Sequence, residues 1–523
     1  MLKLVLGTSG SGKTTLLYAR IRARAEAGKH SILLVPEQFT SSTEARIYRE
    51  LGDALSGMVE SYSFTSLAEH ILAVEGGAAV QTLTDAGRAV LVRRALEELQ
   101  DNVHYYYRHR RSAAFCQMAA ETIDELKSAG LSGQQLQELA RDCGTESAKL
   151  GELALIFQGY ESLLAGTGMD PADRLELAAD RLEAALARDE LPDFLREREV
   201  FIDEFDTFNA PKKRLMGAML AALPAVTVAL CEDGAPMQPG DLELFSGAKQ
   251  VAAQLRQLAR KNGAQVAAPE LLRRDLRHKE APGLAALTEL LETGSCTPPE
   301  SATELRLFAA ASREEEARCA AAAIRRLMRQ GVRCGKIAVV CRDISLYRAA
   351  VRYEFRMAEI PLYCDEPTTP EFSAPATAVR ALLALLRGAD MTEQLTVLAK
   401  TGLCDLTEPE VCALENYAYT WSPNAAAWRA EFTKSPRGFG DAELTEEDTL
   451  NLTRAENARK KLVTAVDTLR SKVRSANAEQ ISRALYFCLK ELGAEGQQAA
   501  QVEDIRTARG IPAAEEAARE WNV

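Results

Sequence analysis

LVLGTSGSGKTT, residues 4–15, is the stretch on which the reading of this chain turns. Gly7 opens a turn, Gly12 closes it, and Lys13 and Thr14 lead into a helix, which is the full spelling of a phosphate-binding loop. A polyphosphate packed against backbone N–H groups leaves no room for Cβ atoms, so Gly7, Gly10 and Gly12 permit close approach and the turn dihedrals. Thr8, Ser9 and Ser11 fill the loop, and Thr15 stands beside Thr14 in the first helical turn. Lys13 is placed to reach the β and γ phosphates, Thr14 to offer its hydroxyl to Mg²⁺, and the helix to point its positive end at the anion. The setting matches, since residues 2–6 read as a short buried strand and 14–27 as a helix. ATP with Mg²⁺ is the cofactor these residues predict. A glycine-rich turn with an incidental lysine is the alternative.

Past that first helix, residues 31–35 (SILLV) predict a second strand, left through PEQFT at 36–40, and the βαβ arrangement implies a parallel sheet. Loops at strand ends line the ligand crevice of such sheets, which puts Glu37, Gln38 and Thr40 near nucleotide or a second substrate; an ordinary strand-to-helix turn is the other reading. Residues 59–64 predict a third strand. Residues 82–188 change to helical periodicity, an insertion that contains HYYYRHRR at 104–111. Such a segment could stack bases and hold phosphates, but in an acidic chain the favoured reading is a solvated helix end with core-anchored tyrosines.

The strand at 199–202 runs into Asp203 and Glu204, the acidic pair expected opposite a phosphate-binding loop. Asp203 would hold Mg²⁺ and Glu204 would polarise the attacking water; acidic residues capping the next helix are the alternative. Another strand follows at 226–231. Arg273, Arg274, Arg277, His278 and Lys279 read as a solvated surface segment. A second α/β unit is expected beyond, with strands at 304–309, 337–341 and 360–363 and helices at 313–330 and 345–357, before the chain turns helical after Pro375.

Composition bounds the rest. The chain has 523 residues, 47% of them hydrophobic, enough for three or four domains. Its net charge of −12 argues against a wholesale basic coat while permitting a local basic channel. No apolar run approaches a membrane span and no charged leader precedes the first strand, so a cytoplasmic protein without membrane association is expected. Eleven scattered cysteines, without zinc-ligand spacing, are expected as reduced buried thiols.

Two α/β units in tandem, the first with a nucleotide loop and a helical insertion, resemble the motor core of superfamily-one helicases. Within that group the chain resembles the AddB family, the B subunits of bacterial AddAB helicase-nucleases. The carrying residues are GTSGSGKT at 7–14, LLVPEQFT at 33–40, SYSFTSLA at 61–68, ETIDELKSAGL at 121–131 and FIDEFDTF at 201–208. ASREEEARCAA at 311–321, IAVVCRD at 337–343 and LENYAYTW at 414–421 continue the pattern.

The resemblance implies a RecA-like first domain from 1–75 and 190–298, a helical insertion over 76–189, part of a second RecA-like domain over 299–385 and a further helical region over 386–523. It also implies an AddA-like helicase-nuclease partner, DNA as substrate, and an N-terminal fragment of a longer protein whose nuclease residues and iron-sulfur cluster lie in the part beyond. In the helicase arrangement Arg342, at the end of the 337–341 strand, faces the phosphate loop and touches the γ-phosphate; a surface arginine paired with Asp343 or capping the next helix is the other reading. The chain departs from active relatives at Phe205-Asp206-Thr207 and lacks a coupling glutamine after Cys231-Glu232-Asp233. Three functions follow as expectations. The first is the ATP-binding, DNA-tracking part of a helicase-exonuclease that processes double-strand DNA ends for recombinational repair. The second is a non-hydrolysing DNA-scanning scaffold with ATP as a structural ligand. The third is a small-molecule kinase, disfavoured because kinases are usually one compact domain.

Overall fold

The computed structural model describes residues 1–523 apart from 78, 237–243, 365–372, 441–442 and 520–523. It divides into two units, Met1–Phe308 and Ala309–Val523.

The first unit is built on one parallel sheet of β1 (Leu2–Gly7), β2 (Ser31–Leu34), β3 (Val59–Tyr62), β4 (Glu199–Ile202), β5 (Ala225–Cys231) and β6 (Glu270–Leu272). The strand order is β3-β2-β4-β5-β1-β6, with every pair parallel. Central strands covered on both faces must be apolar almost throughout, which is why SILL and EVFI are wholly buried. Alternation along each strand then assigns the faces. Leu4, Leu6, Ile32, Val200 and Val228 pack against Phe64, Leu182, Met216 and Leu255 from the helices Phe64–Glu75, Pro171–Ala187, Ala210–Ala222 and Ser246–Lys261. On the opposite face Val5, Leu33, Phe201 and Ala229 meet Leu17 and Ile21 of α1 (Lys13–Glu26) and Ile47 and Leu51 of α2 (Thr40–Leu51).

Between β3 and β4 the described residues are helical apart from turns and one isolated bridge, Thr82 to Met169. The helices Asp85–Glu98, Ala113–Ser128 and Ser147–Leu164 bury Val92, Leu96, Ile123 and Phe157 among themselves. Asp170, buried at the start of Pro171–Ala187, ties this layer down by accepting hydrogen bonds from Tyr160 Oη at 2.6 Å and Lys127 Nζ at 2.8 Å.

The second unit departs from the sequence expectation. Its helices Arg313–Arg329 and Ile344–Met357 pack through Ala317, Ala321, Ile324, Val351 and Phe355. A separate helical core buries Leu382, Leu395, Leu414, Trp428, Leu462 and Cys488. The strands expected at 304–309, 337–341 and 360–363 are not formed: among the described residues no strand occurs after Leu272. A strand needs a neighbour to take its N–H and C=O groups, and these segments have none among the described residues. Leu307 at 101%, Val340 at 91% and Tyr363 at 87% exposure therefore point to solvent rather than into a sheet core. The cysteines are all free, but only Cys116, Cys404 and Cys488 are buried, so the expectation of generally buried thiols is corrected. Among the described residues no helix is long and apolar enough to cross a membrane.

Candidate nucleotide site

β1 delivers the chain to Gly7 in mid-sheet, where Gly7 O accepts a hydrogen bond from Glu232 N at 3.2 Å. A Cβ on Gly7 would stand 2.4 Å from Ser11 Oγ and 2.8 Å from Leu272 O, so this position has room for glycine alone. Gly10 and Gly12 carry φ of +79° and +91°, the left-handed conformation that costs other residues about 1–2 kcal/mol. Gly12 precedes α1 without supplying a side-chain cap, which leaves the first N–H groups of the helix free to meet an anion. Ser11 Oγ is buried without a hydrogen-bond partner among the described residues, a polar atom aimed into the turn.

Lys13 Nζ donates to Gly7 O at 2.7 Å and Thr8 O at 2.8 Å. Burial lowers its pKa, partly offset by Cys231 and Asp203. The Thr14 side chain neighbours the Asp203 carboxylate and acts to lower its pKa. Asp203 is buried at the exit of β4, and desolvation raises its pKa against the opposing pull of Thr14, the Glu204 N–H, Lys13 and Arg46. Glu204 N donates to Asp203 Oδ1 at 3.0 Å. Glu204 itself has a φ of +65°, a strained conformation for a side-chain-bearing residue at a candidate catalytic position. Its side chain is exposed as a whole, yet local desolvation and then the Asp203 charge raise its pKa.

The structure thus brings the loop residues 7–15, Asp203 and Glu204 to one edge of one sheet. Arg342 stands in the second unit, exposed, one residue before Asp343, whose Oδ1 accepts a hydrogen bond from Ser345 N at 2.9 Å at the start of the helix Ile344–Met357.

The basic segment after β6 lies on the surface, as the sequence reading expects, and it also reaches the phosphate loop. β6 pairs with β1, so its exit falls beside the phosphate loop while Arg273, Arg274, Arg277 and Lys279 stay exposed. Leu276 N donates to Gly10 O at 2.9 Å, and Arg277 Nη1 donates to Ser9 Oγ at 3.1 Å. Asp275 shapes this turn by accepting from Arg277 N at 2.9 Å and His278 N at 3.1 Å. Glu292, from the helix Pro282–Thr293, is raised in pKa by desolvation, against the opposing pull of Thr8. The missed signal was ELL at 270–272, a three-residue strand too short to show a period.

A second cleft, about 210 Å³, opens at the carboxyl ends of β2, β3 and β4 between Gln38, Thr65, Phe205 and Lys212. Glu37 and Gln38 both line it, so the strand-end loop is beside a cavity as the βαβ argument expects. The turn at 104–111 is held from beneath by Glu152, and Tyr106 stacks on Phe115 with centroids 5.3 Å apart.

A parallel α/β protein with a glycine-rich loop and a buried carboxylate at its strand ends is the class that fold and site define. The model of the family described as "ADDB, N-terminal" matches residues 4–288, and the chain belongs to that family. It is similar to the B subunit of the ATP-dependent helicase/deoxyribonuclease of Moorella thermoacetica, 30% identical over 544 residues, covering 99% of this chain and 46% of the relative. The protein of the same name from Desulforudis audaxviator is 29% identical over 550 residues, covering 100% and 46%. That from Symbiobacterium thermophilum is 30% identical over 452 residues, covering 82% and 38%. The chain spans about half or less of the length of these relatives.

Proposed function

We propose that this chain is the ATP-binding, helicase-like part of the B subunit of a cytoplasmic helicase-exonuclease that processes double-strand DNA ends for recombinational repair, working with an AddA-like partner. The observation that carries the reading is the placement of Asp203, buried at the exit of β4, beside Thr14 and Lys13 of the glycine loop, both of which lower its pKa. β5 lies between the loop strand and the acid strand, an arrangement that supports a RecA-like reading of the sheet.

The donor set fits ATP and Mg²⁺. Ser11 Oγ and the free N–H groups at the start of α1 would take the inner phosphate oxygens, and Lys13 would exchange its two carbonyl partners for the outer ones. Thr14 and Asp203 would hold the metal, directly or through water. Bound magnesium supplies charge neutralisation at the phosphates. Glu204 would orient water and accept its proton, and Arg277 would add charge beside Ser9. DNA is assigned to the cleft of Gln38, Thr65, Phe205 and Lys212, which offers hydrogen-bonding groups, an aromatic wall and a cation at the strand ends.

A second reading, a scaffold that keeps ATP as a structural ligand, is favoured by the close packing of Leu276 and Arg277 on the loop. Turnover of bound ATP with and without single-stranded DNA separates the two. DNA-stimulated hydrolysis that Glu204→Gln abolishes supports the motor. Retained ATP without turnover supports the scaffold, and failure to bind ATP contradicts both.

A further inference from the structure

We propose that the turn at residues 104–111 is a second contact for single-stranded DNA, with Arg108 and Arg111 on phosphates and Tyr105 under a base. The inference rests on the DNA reading above but on none of its residues.

Glu152, from the helix Ser147–Leu164, accepts successive backbone N–H groups from His104 at 2.8 Å, Tyr105 at 2.8 Å and Tyr106 at 3.1 Å. One carboxylate thus fixes the backbone from the protein side, so the side chains radiate from a set position. Arg110 lies 3.7 Å from the Tyr107 ring centroid and donates to Tyr107 O at 2.9 Å, which closes the turn. Ser112 then caps the helix Ala113–Ser128 by accepting from Phe115 N at 3.3 Å.

What this frame displays is cationic and aromatic. Arg108 and Arg111 are exposed and have no acidic partner among the described residues, on a chain of net charge −12. A purely solvated face would be expected to carry mixed charge; three arginines and two histidines occur within these eight residues and no acid. Tyr105 is 59% exposed, braced edge-on by Tyr106 at 4.9 Å, with Tyr106 held in turn against Phe115. An exposed but buttressed ring beside unpaired guanidinium groups is complementary to a strand whose bases are free to stack; a duplex hides those faces.

The test uses the full chain, with fluorescence anisotropy of a labelled oligothymidine and a labelled hairpin duplex across a salt series. Arg108→Glu/Arg111→Glu is expected to weaken oligothymidine binding tenfold or more and to flatten the log–log salt slope by about 1.4, the value for two phosphate contacts on a single strand. Tyr105→Ala is expected to weaken it fivefold or more with the slope unchanged. If the double reversal melts early, Arg108→Gln/Arg111→Gln replaces it with the same expected slope change. Oligothymidine binding by the parent that ignores these variants overturns this proposal alone, and so does an effect confined to the duplex. A parent chain that binds neither probe overturns the DNA reading as well.

Discussion

The Thr14 side chain neighbours the Asp203 carboxylate and lowers its pKa, so the first turn of α1 and the exit of β4 meet although β5 separates their strands. A hydroxyl and a carboxylate brought together from separate segments are the pair that the proposed Mg²⁺ site would use. It also means that two residues 189 positions apart act as one unit.

Asp203 should make the site sensitive to pH. Its folded pKa is raised, chiefly by burial, so the folded chain holds this proton at pH values where the unfolded chain has released it. The stability of the metal-free protein should therefore fall as pH rises from the ordinary aspartate range through the raised value. Mg²⁺ affinity should rise over the same window, because the metal needs the carboxylate. Melting temperature and Mg²⁺ titration against pH check both slopes, and Asp203→Asn should remove both while weakening Mg²⁺-dependent ATP binding.

Gly12→Ala should destabilise the first unit by about 1–2 kcal/mol, because a φ of +91° is strained for alanine. The new methyl would also stand 2.9 Å from Leu276 Cδ1, forcing that side chain off the loop. Thermal melting with and without ATP reads the effect. The expected result is a lower melting temperature together with loss of ATP-dependent stabilisation.

Arg277 tests the segment that the sequence did not place. Its charge is felt at Lys13 and its guanidinium donates to Ser9, so Arg277→Ala should weaken ATP binding by up to about tenfold. Arg274→Ala, in the same basic run, serves as the comparison and should leave the affinity unchanged. Equal effects from both would indicate a diffuse charge contribution instead of a contact.

The strand-loop-helix unit was legible because its signals are local: glycine spacing, a largely apolar strand and the lysine all fall within fifteen residues. Asp203 and Glu204 were legible for the same reason, as the polar end of a buried strand. Arg277 was not, since its place depends on β6 pairing with β1, a contact across more than 260 residues that periodicity does not report. The second unit shows the converse error. IAVVC at 337–341 has a strand's composition, but composition does not supply a hydrogen-bonding neighbour, and Val340 ends in solvent. Glu204 was identified by type, while its left-handed backbone could be seen only in the folded chain.

ATP binding through the loop at 7–15, with Lys13 on the outer phosphates, is the assignment from which the roles of Thr14, Asp203 and Glu204 follow. Calorimetric titration of Mg²⁺·ATP into the parent chain and into Lys13→Ala tests it directly. Losing one charge-assisted contact, about 1.5–3 kcal/mol, should weaken affinity ten- to more than a hundredfold with the melting temperature of the free protein little changed. Equal affinity in the two proteins would contradict the assignment of this loop as the nucleotide site.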